Sequence, residues 1–290
     1  MPINRYISTL LLIFAVINIQ AQGKKALICG ISDYPDESGF ADIHGNNDEE
    51  IVRKMLIIQG YKCFSIGEGV GKAQMIRDNL EYIATNSKPN DYVFIHFSCH
   101  GQPVEDKEPF DEDDHWDEAL VATDARISYQ SGVYQGENHI LDDELNQYFN
   151  RIRQKIGPDG FLCVVIDACH SGNASRDEDD DDNQIIRGVS IGFSENGRTF
   201  APKINNNGCF KIESRHDYGD ILILEACRAY QNNYEINVDG KYYGSLSYYM
   251  CKVLNNKPIT KNIDWVLEIK SLMQADPRLQ NQNMVYEKSF

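Results

Sequence analysis

The sequence predicts an α/β fold in which a mainly parallel central sheet has helices on both faces. Four short apolar runs lie along the chain, at Ala26–Ile31, Tyr92–Ser98, Phe161–Asp167 and Ile221–Ala226. Each run is continuously apolar rather than alternating, which is typical of strands that are buried on both faces. Amphipathic helical patterns separate the runs, and strands that alternate with helices favour a parallel sheet.

The helices are predicted from the spacing of apolar residues and from the residues that end each pattern. In Asp48–Gln59 apolar residues recur three and four positions apart, and Gly60 follows where a helix commonly ends. Similar patterns predict helices at 72–84, 141–156, 245–254 and 263–273. Weaker apolar segments predict strands at 61–66 and 283–287.

Two long polar segments interrupt this alternation and predict loops. Residues 102–118 are dense in acidic side chains, and residues 172–218 are rich in Gly, Asn and Asp. Both segments begin directly after a predicted strand. Long loops are commonly functional, and ligands of open parallel sheets bind beyond the carboxyl ends of the strands.

The first 21 residues predict a signal peptide. Arg5 supplies the positive charge, Ile7–Ile19 is an uncharged apolar run, and Ala21 is the small residue before a cleavage position. The apolar run is short for a membrane span, which disfavours the alternative of an uncleaved anchor. We therefore expect a protein that is exported to the periplasm or out of the cell, with no stable membrane insertion after the signal is removed.

The charge of the chain excludes some classes of partner. The formal net charge is −16, and residues 1–21 contain one charged residue, Arg5, so the mature chain is more acidic by one unit. Such a surface repels nucleic acid phosphates and anionic lipid headgroups, whereas it tolerates basic peptides. The eight cysteines are expected to be mostly free, buried thiols, because several lie inside apolar runs.

Two strand ends contain the residues for a thiol-based reaction. The second main run continues into Cys99-His100-Gly101, and the third continues into Ala168-Cys169-His170. If these strands are neighbours, His100 faces Cys169 and can act as the base that produces the thiolate. The backbone N–H groups of Gly101 and Cys169 could then form an oxyanion hole. The alternative for the two Cys-His pairs is a zinc site.

A His-Gly pair after one strand and Asp-x-Cys-x-x-Gly after the next resemble the catalytic motifs of the caspase-like cysteine peptidases, family C14, nearest to bacterial metacaspases. Weaker similarity extends over residues 44–48, 140–145, 219–228 and 244–247. The resemblance implies a caspase-like three-layer sandwich with about six strands, the last one antiparallel. It also implies a monomeric cysteine endopeptidase with a Cys-His dyad, polypeptide substrates and no organic cofactor.

The same resemblance implies the organisation of the mature chain. Residues 22–290 form a single peptidase domain, with a large-subunit-like part at 22–172 and a small-subunit-like part at 219–290. Residues 173–218 are the linker between them. The enzyme is expected to cleave this linker itself, since exposed polar loops are preferred sites of proteolysis. The candidate cleavage residues are Arg176, Arg187, Arg198, Lys203, Lys211 and Arg215.

The residues that match the family's substrate pocket are Asp48, Ser98 and Asp167. Two carboxylates suit a guanidinium or an ammonium group, so cleavage after Arg or Lys is expected. The alternative for Asp48 is a helix N-cap. A pocket that selects Asp before the cut would need arginines in place of these carboxylates.

Calcium is the one metal that the resemblance implies. The matching acids are Asp117, Asp142 and Asp143, with Asp177 as a fourth, although Arg176 occupies the position that aligns directly. Calcium binds six to eight oxygen ligands, so clustered acids suit it. The alternative is a solvated acidic surface.

Two rival functions remain open at this point. The first is a clostripain- or gingipain-like peptidase of similar architecture. The second is a catalytically silent module that binds calcium or peptides. A silent module would not label rapidly with a thiol probe, because its cysteine would not be activated.

Overall fold

The computed structural model describes residues 22–66, 71–106, 115–170 and 184–290. The predicted signal peptide at 1–21, Arg176 and Asp177 lie outside the described residues. The strands are β1 Lys24–Gly30, β2 Lys62–Ile66, β3 Tyr92–Ser98, β4 Gly101–Glu105, β5 Trp116–Val121, β6 His139–Leu141, β7 Phe161–Asp167, β8 Phe210–Lys211, β9 Asp220–Glu225, β10 Glu235–Val238, β11 Lys241–Gly244 and β12 Val285–Lys288. The α-helices are α1 Gly45–Ile58, α2 Ala73–Asn86, α3 Asp142–Ile156, α4 Ser245–Leu254 and α5 Asp264–Ala275.

The central sheet has seven strands in the order β2-β1-β3-β7-β9-β12-β8. The first five run parallel, and β12 is antiparallel to β9. Each inner strand is buried on both faces because helices cover both sides of the sheet. One apolar core packs α2 and α3 against one face, and a second packs α1, α4 and α5 against the other.

The predicted α/β class, the parallel sheet and the antiparallel last strand are therefore confirmed. All eight cysteines are free, and six are buried. The prediction of a loop throughout residues 102–118 was wrong in part, because β4 and the start of β5 lie there and pair with each other. Together with β6 they form a small antiparallel sheet, whose pairing partners are too distant in sequence to give a local signal.

No helix among the described residues is both long enough and apolar enough to span a bilayer.

Candidate active site

Strand register brings the two motif residues to the same level of the sheet. Ser98 on β3 pairs with Asp167 on β7, and the two strands are parallel neighbours. His100 and Cys169 each lie two residues beyond this pair. Both residues therefore lie beyond the same edge of the sheet, at the ends of neighbouring strands.

The His100 ring is oriented by a backbone carbonyl. Its Nε2 lies 2.8 Å from the oxygen of Ala41. A carbonyl oxygen only accepts hydrogen bonds, so Nε2 must be the protonated nitrogen of the neutral ring. Nδ1 is then the basic nitrogen, and it is buried without a hydrogen-bond partner among the described residues. The sequence analysis missed this orienting group because the carbonyl of any residue could provide it.

Two aromatic side chains hold the same histidine in place. The hydroxyl of Tyr34 accepts from the backbone N–H of His100 at 3.1 Å, and its ring centroid lies 4.9 Å from the imidazole. Phe40 stacks on the imidazole with its centroid at 5.6 Å, and it also contacts Tyr34, with ring centroids 5.7 Å apart. Burial in this aromatic environment lowers the pKa of His100 to about 4. The imidazole is thus neutral at neutral pH and able to accept a proton.

Cys169 is buried, and its groups face two different chain segments. Its backbone N–H donates to the carbonyl of Arg187 at 2.8 Å. Its Sγ lies 2.7 Å from the carbonyl oxygen of Gln231, and Sγ of Cys227 lies 3.3 Å from the same oxygen. In this arrangement the thiol is turned toward Gln231, so it must rotate to deliver its proton to His100.

The three predicted pocket residues come together and are completely buried. The Ser98 hydroxyl donates to Asp48 Oδ2 at 2.8 Å, and the backbone N–H of Gly244 donates to both oxygens of Asp48. Asp167 accepts from Asn233 Nδ2 and from the Ser247 N–H, each at 2.7 Å. Asp48 lies inside α1 and not at its N-cap, which is His44, so the helix-cap alternative was wrong.

A guanidinium from the linker fills this pocket. Arg187, which is fully buried, places Nη1 2.7 Å from Asp48 Oδ2, 4.0 Å from Asp167 Oδ1 and in contact with the Ser98 hydroxyl. A third carboxylate, from Glu235, contacts the opposite edge of the guanidinium at 2.8 Å. Burial raises the pKa of Asp48 to about 7, although the guanidinium opposes this shift. Sequence analysis named Arg187 as one of six cleavage candidates but did not identify Glu235.

The described part of the linker runs through the cleft as an added strand. On one side of Arg187, Glu235 N–H donates to the Ile185 carbonyl, and Arg187 N–H donates to the Asn233 carbonyl, each at 2.9 Å. On the other side, Gly188 forms a parallel bridge with Gly101. A Cβ atom at Gly188 would lie 2.0 Å from the carbonyl oxygen of Cys169, so only glycine allows this approach.

Comparison with known proteins identifies the family. Residues 24–176 match the family described as metacaspase, peptidase C14 domain. The chain belongs to the metacaspase family. The match places the chain among the C14 peptidases. It also argues against the clostripain- or gingipain-like alternative.

Individual relatives agree with this assignment. Metacaspase-1 of Lodderomyces elongisporus is 22% identical over 295 residues, which cover 87% of this chain and 62% of that protein. Metacaspase-1 of Schizosaccharomyces pombe is 25% identical over 277 residues, which cover 82% of this chain and 61% of that protein. The chain thus spans about three fifths of the length of these relatives.

Two crystal structures share the fold. Protein GSU0716 of Geobacter sulfurreducens superposes with a TM-score of 0.61 at 16% identity, covering 92% of this chain and 93% of that one. The Drosophila initiator caspase Dronc gives a TM-score of 0.50 at 11% identity, covering 91% of this chain and 78% of that one.

His170 lies beside the candidate nucleophile and makes an ion pair. Its Nδ1 lies 3.1 Å from Glu118 Oε2 on β5. Burial alone would lower the pKa of His170, but the Glu118 carboxylate outweighs it and raises the pKa to about 9. A positive imidazole next to Cys169 favours the thiolate.

The predicted calcium ligands lie apart from the pocket. Asp117 is buried on β5, and Asp142 and Asp143 are the first two residues of α3. Within the described residues, no group of three or more His, Cys, Asp or Glu side chains is arranged to hold a metal ion. Calcium binding by these residues stays a prediction, and no step of the chemistry is assigned to the ion.

Proposed function

We propose that this protein is an exported, monomeric cysteine endopeptidase that cleaves after Arg or Lys through Cys169 and His100, and that it cleaves its own linker. The observation that carries the proposal is the position of Arg187. Its side chain lies in the acidic pocket, while its carbonyl oxygen accepts from the Cys169 N–H. These two contacts support the proposal, because a bound substrate with arginine before the bond to be cut would be expected to make both.

The main-chain contacts support the same assignment. Residues 185–187 pair with residues 233–235 as an antiparallel strand, and such strand addition binds peptides independently of most of their side chains. The pocket supplies the specificity for the basic residue. The linker therefore occupies the cleft in the way that a foreign polypeptide would after the linker is displaced.

The chemistry follows from these positions. The thiolate of Cys169 attacks the carbonyl carbon of Arg187, and His100 Nδ1 takes the thiol proton. The developing oxyanion is stabilised by the N–H of Cys169, with Gly101 as the second predicted donor. His100 then protonates the amine of Gly188, which leaves. Water hydrolyses the acyl enzyme and restores the thiol.

A panel of fluorogenic peptides that differ only in the last residue before the cut tests this function. We expect cleavage after Arg and Lys and none after Asp. Each peptide is assayed with added calcium and without it, and a chelator serves as the control. Calcium stimulation stays a prediction that the same panel tests. Cleavage after Asp alone would contradict the pocket assignment. Slow labelling of Cys169 by a thiol probe would favour the silent binding module.

Self-cleavage is expected after Arg187. Mass spectrometry of the purified protein should identify a fragment that begins at Gly188. Arg187→Ala should abolish this cut, because alanine leaves the acidic pocket empty. Arg198→Ala is the matched control, since Arg198 is a half-exposed linker arginine that pairs with Glu105 outside the pocket. If Arg187→Ala still produced a fragment that begins at Gly188, the assignment of Arg187 to the pocket during self-cleavage would be wrong.

The pH profile of cleavage is expected to have two steps on its acid side. For an arginine peptide, kcat/KM should fall as Asp48 takes up a proton and the pocket loses a negative charge; burial raises the pKa of this carboxyl to about 7 even with a guanidinium beside it. It should fall again around pH 4, where His100 becomes protonated and cannot accept the thiol proton. Asp48→Asn should remove only the upper step. A single step at about pH 6.5, the pKa of an unperturbed histidine, that persists in Asp48→Asn would contradict this.

A further inference from the structure

The guanidinium of Arg187 is held on two separate edges. One edge presents Nη1 to Asp48 and Ser98, the pocket residues that the sequence predicted. The other edge presents Nε and Nη2 to one oxygen of Glu235, at 3.1 and 2.8 Å. All three nitrogens of the guanidinium are therefore bound by acceptors on opposite sides of the group.

Contacts other than the guanidinium also hold Glu235 in this position. It opens β10, and its side chain is fully buried. The backbone N–H of His44 donates to its Oε1 at 2.8 Å, and the His44 ring lies 2.6 Å from its Oε2. His44 is in turn stacked on Tyr242 of β11, with ring centroids 5.1 Å apart. A carboxylate that is held by its neighbours loses little freedom when it binds a cation.

A lysine side chain cannot satisfy both edges. Its ammonium is a single nitrogen on a flexible stem, whereas the guanidinium is a planar fork with five N–H groups. An ammonium that contacts Asp48 leaves Glu235 with only its His44 contacts, and a buried carboxylate that loses its guanidinium partner is costly. The carboxylate of Asp48, by contrast, attracts either cation.

We propose that Glu235 is the specificity-determining residue that makes this pocket select arginine over lysine. The inference rests on the proposed function and narrows its substrate class from basic residues to arginine. Glu235 acts on the edge of the guanidinium that lysine lacks, while Asp48 and Asp167 supply the general preference for positive charge.

The test compares two fluorogenic peptides that differ only in Arg or Lys before the cut, using the self-cleaved full chain. Wild type should prefer arginine by about 10- to 100-fold in kcat/KM, the range expected for charge-assisted hydrogen bonds. Glu235→Gln should lower kcat/KM for the arginine peptide by about 10-fold and kcat/KM for the lysine peptide by less than about 3-fold. The preference for arginine should therefore be much smaller in this variant than in wild type. Asp48→Asn is the matched control and should lower both values together.

A second measurement does not depend on the folding of the Glu235 variant. Arg187→Lys keeps every carboxylate in place and should slow self-cleavage at the linker by about 10-fold or more. Three results would each overturn the inference while leaving cleavage after basic residues intact. The first is equal cleavage of the two peptides by wild type, and the second is an unchanged ratio of arginine to lysine cleavage in Glu235→Gln. The third is self-cleavage of Arg187→Lys at the wild-type rate. If wild type cleaved neither peptide, the proposed function would fail and the inference with it.

Discussion

Cys169→Ala is expected to reduce peptide cleavage by about four orders of magnitude or more, because it removes the atom that attacks the carbonyl. Self-cleavage at Gly188 should cease as well, so the variant should run as one chain on a denaturing gel. Alanine deletes one sulfur from a site that β7 and the linker already hold by backbone bonds. We therefore expect the fold to survive, which a thermal melt would verify.

Cys227→Ala is the matched control for this variant. Cys227 is also buried and lies against the same Gln231 carbonyl. Its contact with Cys169, and then burial, raise the pKa of its thiol, so it stays protonated at neutral pH and is no nucleophile. Cys227→Ala should retain most of the activity. Residual turnover in Cys169→Ala that is lost only when Cys227 is also removed would contradict the assignment of the nucleophile.

Gly244→Ala is expected to lower kcat/KM for arginine peptides by about a hundredfold or more, since it fills the pocket. A Cβ atom at this position would lie 2.6 Å from Arg187 Nη1 and 2.3 Å from Asp167 Oδ2. Asp167 cannot move away easily, because Asn233 and Ser247 hold both of its oxygens. The backbone of Gly244 has φ −60° and ψ 135°, which alanine adopts without strain, so the effect comes from the methyl group alone.

Alkylation of Cys169 by iodoacetamide provides the control for Gly244→Ala, because this small reagent needs no acidic pocket. The alkylation rate, compared between chains that both carry Arg187→Ala and so keep the linker uncleaved, should change little. The Gly244→Ala variant that keeps Arg187 should lose arginine cleavage. If the variant cleaved arginine peptides normally, the guanidinium would have to bind elsewhere, and the pocket assignment would be wrong.

The sequence by itself determined the central sheet and the residues at its edge. Strands β3 and β7 are continuous apolar runs, and such runs predict buried parallel strands from local composition alone. Because His100 and Cys169 follow these strands at equal offsets, their placement beyond the same edge of the sheet followed from topology without any knowledge of side-chain contacts. Asp48 and Asp167 came from motif resemblance, and the structure brings them together.

Only the tertiary structure decided which linker residue fills the pocket and what else binds it. Six basic residues of the linker were equivalent candidates in sequence, and Arg187 is distinguished by its distance to Asp48. Glu235 lies 48 residues after Arg187 and 187 residues after Asp48, so no local sequence pattern connects these three residues. The Ala41 carbonyl that orients His100 belongs to the backbone, which has no residue signature. Contacts of this kind depend on chain segments that meet only after folding, whereas strand burial is encoded in the apolar residues of each strand itself.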